Sequence, residues 1–271
     1  MKQIIVTTDF SPAAYNAARY AADMALVVQA NLLLLNVVQT PVGYSDLPIV
    51  ISLENMMRSS EKDMDDLKTE LLKITNGQIK IEAEVGMGSF YGELKNVCEG
   101  INPDVVVMGS QGKTAAEHLM FGSHAVHAVK YLNWPVLTVP PGFSFTGLKK
   151  IALASNLTAV VETTPIKEIA LFVNTFDAEF HILNTAKKEA FDENMVFESG
   201  LMQEITKALK PQFHFIGAEN TDQGIIDFVT AHHIDLLIVL PRRYNFFENL
   251  VHRSHTKQLV LHCHAPVMSI H

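Results

Sequence analysis

Apolar residues follow two alternating rhythms along the first half of the chain. Segments of strand length rich in apolar residues occur at Gln3 to Thr7, Leu32 to Val38, Ile79 to Val85, Asp104 to Met108 and Pro135 to Val139. Such segments read as strands. Helical patterns lie between them. Ser11-Pro12 offers an N-cap and a first-turn proline for an alanine-rich helix to about Gln29. Leu53, Met56, Met57, Met64, Leu67 and Leu71 form a helical stripe. Ser89 can cap a short helix through Val97, and a last helix is expected from about Gly122 to Leu132. Strands alternating with helices predict right-handed crossovers and a mostly parallel sheet with helices on both faces. Nearly every Leu, Val, Met and Ala in these segments reads as core.

The pattern then repeats. At an offset of about 131 residues, Asp104-Val-Val-Val-Met108 falls on Asp235-Leu-Leu-Ile-Val239, Ser123-His124 on Ser254-His255, and Pro135-Val136 on Pro266-Val267. Near the start the offset is about 147: Lys2 to Asp9 falls on Lys149 to Asn156, and Leu35-Asn36 on Leu183-Asn184 one step later. The second copy has therefore lost roughly 17 residues from its middle, and each copy has the size of an ordinary α/β domain. Residues 1–142 and 149–271 are the expected domains, joined by Pro140-Pro-Gly-Phe-Ser-Phe-Thr-Gly147. Two tandem Rossmann-like domains of five strands each are the predicted fold.

Composition narrows the function. With 48% hydrophobic and 18% charged residues, the 271-residue chain is a folded one. No apolar run approaches the roughly 20 residues that span a bilayer, and no signal-peptide pattern opens the sequence. A net charge of −8 without a basic tract argues against nucleic acid as a partner. Two cysteines are too few for a disulfide scaffold, so a reducing cytoplasm is the expected compartment.

The sharpest chemistry follows the fourth strand: Gly109-Ser-Gln-Gly112, then, after nine residues, Gly122-Ser123 opening a helix. In open α/β sheets ligands bind beyond the carboxyl ends of the strands. Glycines let the backbone come close, loop N–H groups form an anion site, and a helix start adds its positive dipole end. Asp9, after the first strand, lies at the same edge and can accept bonds from a nucleoside. The same residues also fit a plain turn, with Asp9 helping Ser11 to cap the helix. The second copy acts as an internal control. It has Leu240, Arg243 and Arg253 in place of Gly109, Gly112 and Gly122, and Asn156 in place of Asp9. Ten of the fourteen glycines lie in the first copy, so the architecture tolerates their loss.

Together, Asp9-Phe10-Ser11 and the spacing of Gly109, Gly112, Gly122 and Ser123 resemble the ATP-binding branch of the universal stress protein family, over both copies of the repeat. The resemblance implies ATP as the ligand, with Mg or Mn bridging its phosphates. It implies that Asp9, with Thr7 nearby, and the backbone at Val37 hold the adenosine, and that Met108 and Gly109 lead into the phosphate loop. Thr7 and His124 depart from the family's usual proline and small apolar residue. A stress-response or regulatory role follows, with a slow ATPase as the alternative. Family members often pair through the last strand of each domain. The resemblance therefore predicts that Pro135 to Val139 and Pro266 to Ile270 pair antiparallel within one chain as a pseudo-dimer, and it leaves room for a homodimer of chains.

Weaker constellations carry less. Arg242, Arg243 and Arg253 can bind an anion, but a degenerate scaffold with solvated arginines is the favoured reading. His262-Cys263-His264 fits no common zinc spacing, and His232, His233, His252 and His255 have no evident common centre. Gly112-Lys113-Thr114 lacks the first glycine of a Walker loop. Glu117, His118 or His124 could orient a water, but no catalytic triad is present, and Cys98 lies in an apolar helical stripe.

Overall fold

The computed structural model describes residues 1–39, 49–110, 123–185, 193–218, 220–241 and 255–271; the side chains at 49–52 and 123 lie outside that description. In the first half the chain runs β1 (Gln3–Thr7), α1 (Pro12–Val28), β2 (Asn31–Val38), α2 (Ile49–Ile74), β3 (Ile81–Met87), α3 (Phe90–Ile101), β4 (Val105–Gly109), α4 (Ser123–Tyr131) and β5 (Val136–Val139). The second half runs β6 (Lys150–Ser155), α5 (Val160–Thr163), α6 (Ile166–Phe176), β7 (Glu179–Asn184), α7 (Glu193–Thr206), β8 (Gln212–Phe215), α8 (Thr221–Ala231), β9 (Leu236–Val239), α9 (His255–His262) and β10 (Val267–Ser269). The α/β alternation is as expected, with shifted edges. β3 begins at Ile81, although Ile79 is already buried. α3 runs past Val97 until Asn102 adopts the left-handed conformation and its N–H donates to the Cys98 carbonyl. Much of the shortening of the second copy falls on one helix: α2 has 26 residues and its counterpart α7 has 14.

The strands form one sheet in the order β3-β2-β1-β4-β5-β10-β9-β6-β7-β8. Every neighbouring pair is parallel except β5–β10, which is antiparallel with Val267 opposite Thr138, Met268 opposite Leu137 and Ser269 opposite Val136. Read outward from that pair, each half places its strands in the same repeat order. Thr138 Oγ1 donates to the Val267 carbonyl at 2.9 Å, and Leu137 and Met268 are fully buried there. Two hydrophobic clusters, one on each face, continue through both halves. The first gathers α1, α2, α6 and α7; the second gathers α3, α4, α8 and α9. Among the described residues no helix is long and apolar enough to cross a membrane.

The segment between the halves is packed down rather than free. Asn16 of α1 donates through Nδ2 to the Pro140 and Phe143 carbonyls at 3.2 and 3.1 Å. Phe145 lies edge-on to Tyr20 at 5.2 Å and against Phe176 of α6 at 6.0 Å, tying α1 to α6 through one ring. Burial pushes the Tyr20 hydroxyl far above its ordinary range, with the Asp235 carboxylate adding to the effect.

Cutting the chain after Gly142 would expose the outer side of β5, an apolar edge with open backbone groups. The fragment 1–142 is expected to dimerise or aggregate in size-exclusion chromatography. A monomeric fragment as stable as the intact chain would show that the β5–β10 contact contributes little.

Candidate functional site

Sheet topology creates one crevice in each half. After β1 the chain turns to α1, which packs on the first cluster through Ala17, Ala18 and Ala21. After β4 it turns to α4, which packs on the second through Ala125, Ala128 and Val129. β1 and β4 are adjacent and parallel, with Val6 opposite Val107, so their connections leave the carboxyl edge in opposite directions. That is the switch point at which α/β sheets take ligands. Asp9 stands on one wall, and Gly109 with Ser110 on the other. In the second half β6 and β9 part in the same way, with Asn156 and Leu240 at the matching places.

Several features of the crevice are duplicated and so belong to the scaffold. Thr8 Oγ1 accepts from the Phe10 N–H at 3.0 Å, and Ser155 Oγ accepts from the Leu157 N–H at 3.1 Å. Phe10 and Leu157 both hold positive φ, 59° and 52°, a conformation that costs a bulky side chain about 1–3 kcal/mol. The same strained turn is built in both halves. Asp104 Oδ2 accepts from the Lys2 and Gln3 N–H groups, and Asp235 Oδ2 from those of Lys149 and Lys150. Those repeated aspartates pin the opposite end of the sheet.

Other features differ between the halves. Asp9 Oδ1 accepts from the Ser11 N–H at 3.0 Å, and Ser11 Oγ caps α1 by accepting from Ala14 N–H at 3.2 Å. The capping reading of Asp9 and Ser11 therefore holds as local geometry. In the second half Ala159 stands at the N-cap with no side-chain bond. Glu198 of α7 supplies the acceptor instead, at 2.8 Å from the Val160 N–H, and the helix breaks at Thr164-Pro165 before resuming as α6. Gly109 is the sharpest difference. A Cβ there would lie 3.0 Å from the Ala13 carbonyl carbon and oxygen and 3.2 Å from the Ala14 nitrogen. Its missing side chain lets the start of α1 close onto the end of β4. Leu240 occupies that place in the half whose first helix is broken.

The remaining expected residues fall as follows. Thr7 is buried at the end of β1, and Met108 is buried in the second cluster, so its side chain serves the core and only its backbone reaches the edge. Val37 is half-buried at the end of β2, opposite Gly86. His124, exposed in the first turn of α4, lies 4.6 Å ring to ring from Phe90 at the start of α3. Its Nε2 is 2.9 Å from Gln39 Nε2, just beyond β2. α4 begins at Ser123, one residue after the expected start; Gly112, Gly122 and the Ser123 side chain lie outside the described residues, as do Arg242, Arg243, Arg253, Glu117 and His118. Sequence reading missed Asn36. It is buried beside the crevice and donates through Nδ2 to the Thr8 carbonyl at 2.8 Å, while its Oδ1 has no hydrogen-bond partner among the described residues. Its repetition as Asn184 was the available signal.

Cys98 is fully buried, and burial with the neighbouring Glu99 carboxylate pushes its thiol up to about 12, which makes it inert core. Cys263 is likewise buried and raised. Among the described residues no three His, Cys, Asp or Glu side chains converge as metal ligands.

The sequence pattern of the Universal stress protein family matches residues 1–140. Universal stress protein MJ0531 of Methanocaldococcus jannaschii is 30% identical over 139 residues, spanning 51% of this chain and 81% of that protein. Universal stress protein MJ0577 of the same organism is 24% identical over 152 residues, spanning 51% and 94%. Among solved structures, a universal stress protein from Archaeoglobus fulgidus superposes over 99% of this chain and 97% of its own at TM-score 0.74 and 16% identity. The functionally unknown protein PA1789 from Pseudomonas aeruginosa does so over 100% and 92% at TM-score 0.62 and 9% identity. At these identities the structures establish the fold over the whole length. The class is thus a Rossmann-like α/β architecture with two groups of five strands, each contacting helices. The chain belongs to the universal stress protein family.

Gly109→Ala should destabilise the chain by about 1–3 kcal/mol, because backbone and not a flexible side chain meets the new methyl. Gly86→Ala, whose Cβ would meet only the Glu93 side chain from 3.5 Å outward, is the control and should cost less. Urea unfolding of both variants measures the difference; equal costs would remove the packing role assigned to Gly109.

Proposed function

We propose that the first half binds one adenine nucleotide, ATP, in the crevice between β1 and β4, and that the second half binds none. The observation that carries this is the distribution of differences between the copies. What builds the fold is duplicated, whereas Asp9, Gly109, Gly112 and Gly122 are replaced together at the carboxyl edge by Asn156, Leu240, Arg243 and Arg253. In this reading Asp9 faces the nucleoside, with the backbone at Thr7 and Val37 beside it. Met108 and Gly109 lead into the phosphate loop. Gly112, Gly122, Ser123 and His124 surround the phosphates, where loop N–H groups and the helix start favour negative charge. Mg or Mn would bridge the phosphate oxygens. Arg253 in place of Gly122 would fill the corresponding space in the second half.

Residues 1–142 and 149–271 then act as an active and a degenerate domain of an intramolecular pseudo-dimer. The role is regulatory, as the family suggests: occupancy of one site alters stability or partner contacts. Titration calorimetry should give about one ATP per chain, and ATP at about 100 times its Kd should raise the unfolding free energy by about 2.7 kcal/mol. Gly122→Arg should abolish both effects. Two sites per chain, or full affinity in that variant, would overturn the assignment. Rapid turnover of added ATP would make the protein an ATPase instead.

A further inference from the structure

His181 stands where the first half has a core leucine. Leu33 lies opposite Ile5 across β1–β2, and His181 lies opposite Ala152 across β6–β7, at the same register position of the repeat. Leu33 is 8% exposed and His181 only 4%. An ionisable ring has thus replaced an apolar side chain on the face that α8 covers.

That ring is paired. Its Nδ1 is 3.0 Å from Nε2 of His214 on β8, the last strand of the sheet. Phe228 of α8 lies 4.7 Å from the His214 ring and 6.5 Å from the His181 ring, and it stacks on His232 at 4.0 Å. The other nitrogen of His181 is buried without a hydrogen-bond partner among the described residues, and the Glu179 carboxylate is 3.8 Å from it. The charged and titratable groups around the pair are Lys150 from β6, Glu179 from β7, and His232 at the end of α8, whose carbonyl accepts from Lys150 Nζ at 3.3 Å.

The geometry suits neutral rings. Two neutral imidazoles satisfy each other with one N–H donor and one lone pair. One added proton keeps that bond but places a charge against the buried His181 ring. A second turns both facing nitrogens into donors at 3.0 Å, and neither can then accept. Burial lowers the pKa of both rings, reinforced for His181 by His214 and for His214 by His232. A lowered folded-state pKa means that the pair's contribution to stability is fully present above the unfolded value of about 6.5 and is lost as pH falls below it.

We propose that His181 and His214 form an acid-operated latch on the outer edge of the second half, closed while both rings are neutral and opened by their protonation, which frees β8 and α8 from the sheet. The latch is independent of the nucleotide crevice.

Hydrogen exchange on the full chain, corrected for intrinsic rates, tests it. Between about pH 7.5 and about pH 5.5, the segments 212–215 and 221–231 should open about tenfold or more readily, while β1, β2 and β4 keep their protection. His127, also lowered by burial, lies on α4 and would report there rather than at β8. His181→Leu, which copies Leu33, should remove the dependence at β8 and α8. Ring resonances of the unaltered protein give a reading that no variant can confound: two histidines should titrate together, below the ordinary range. Protection at β8 that does not change with pH, an undiminished dependence in His181→Leu, or two rings titrating as free histidine would each overturn the proposal.

Discussion

Each strand-helix-strand unit of this chain delivers its strand to a sheet covered on both faces, and that succession has to end at an edge. β5 is where the first half runs out, and its outer side would leave apolar Val136, Leu137 and Val139 beside open backbone groups. β10 closes it. The antiparallel pairing of β5 with β10 lets both hydrophobic clusters continue from one half into the other. Retention of a second copy that lacks the glycine set has a physical reason in this pairing: the second copy covers the first, whatever it binds.

That division of labour explains which residues are duplicated. Asp104 and Asp235 fix strand starts, Phe10 and Leu157 take the same strained turn, and Asn36 and Asn184 lie in the carboxyl-end part of the second strand of each half. The second half differs from the first at its carboxyl edge and under α8. Leu240 replaces the glycine that admits α1, Glu198 caps a broken helix, and His181 enters the core. The proposed nucleotide crevice and the proposed histidine latch are compatible because they lie in different halves of one sheet.

Much of this was legible in the sequence. The strand-length apolar runs and the repeat offset carried the α/β alternation, and the matching terminal strands pointed to β5 and β10. What was not legible depends on contacts between distant segments. Pro140 to Gly147 read as a spacer because prolines and glycines punctuate it, whereas Phe143 and Phe145 become packing residues only once α1 supplies Tyr20 and Asn16. Gly109 read as a ligand-facing glycine; its approach to Ala13 requires knowing that α1 starts above β4. His181 and His214 are 33 positions apart and meet only through strand register, which close spacing in the sequence does not reveal. Asp9 follows β1 at the carboxyl edge, half-buried, and its bond to Ser11 is a local contact at the start of α1.

The most direct test of the central claim is native-state hydrogen exchange at the seam. If β5–β10 pairing makes the two halves one cooperative unit, the amides of Val136–Val139 and Val267–Ser269 should exchange together, with one opening free energy near that of global unfolding. If β10 exchanges much faster than β5, the second half does not cover the first in the way described.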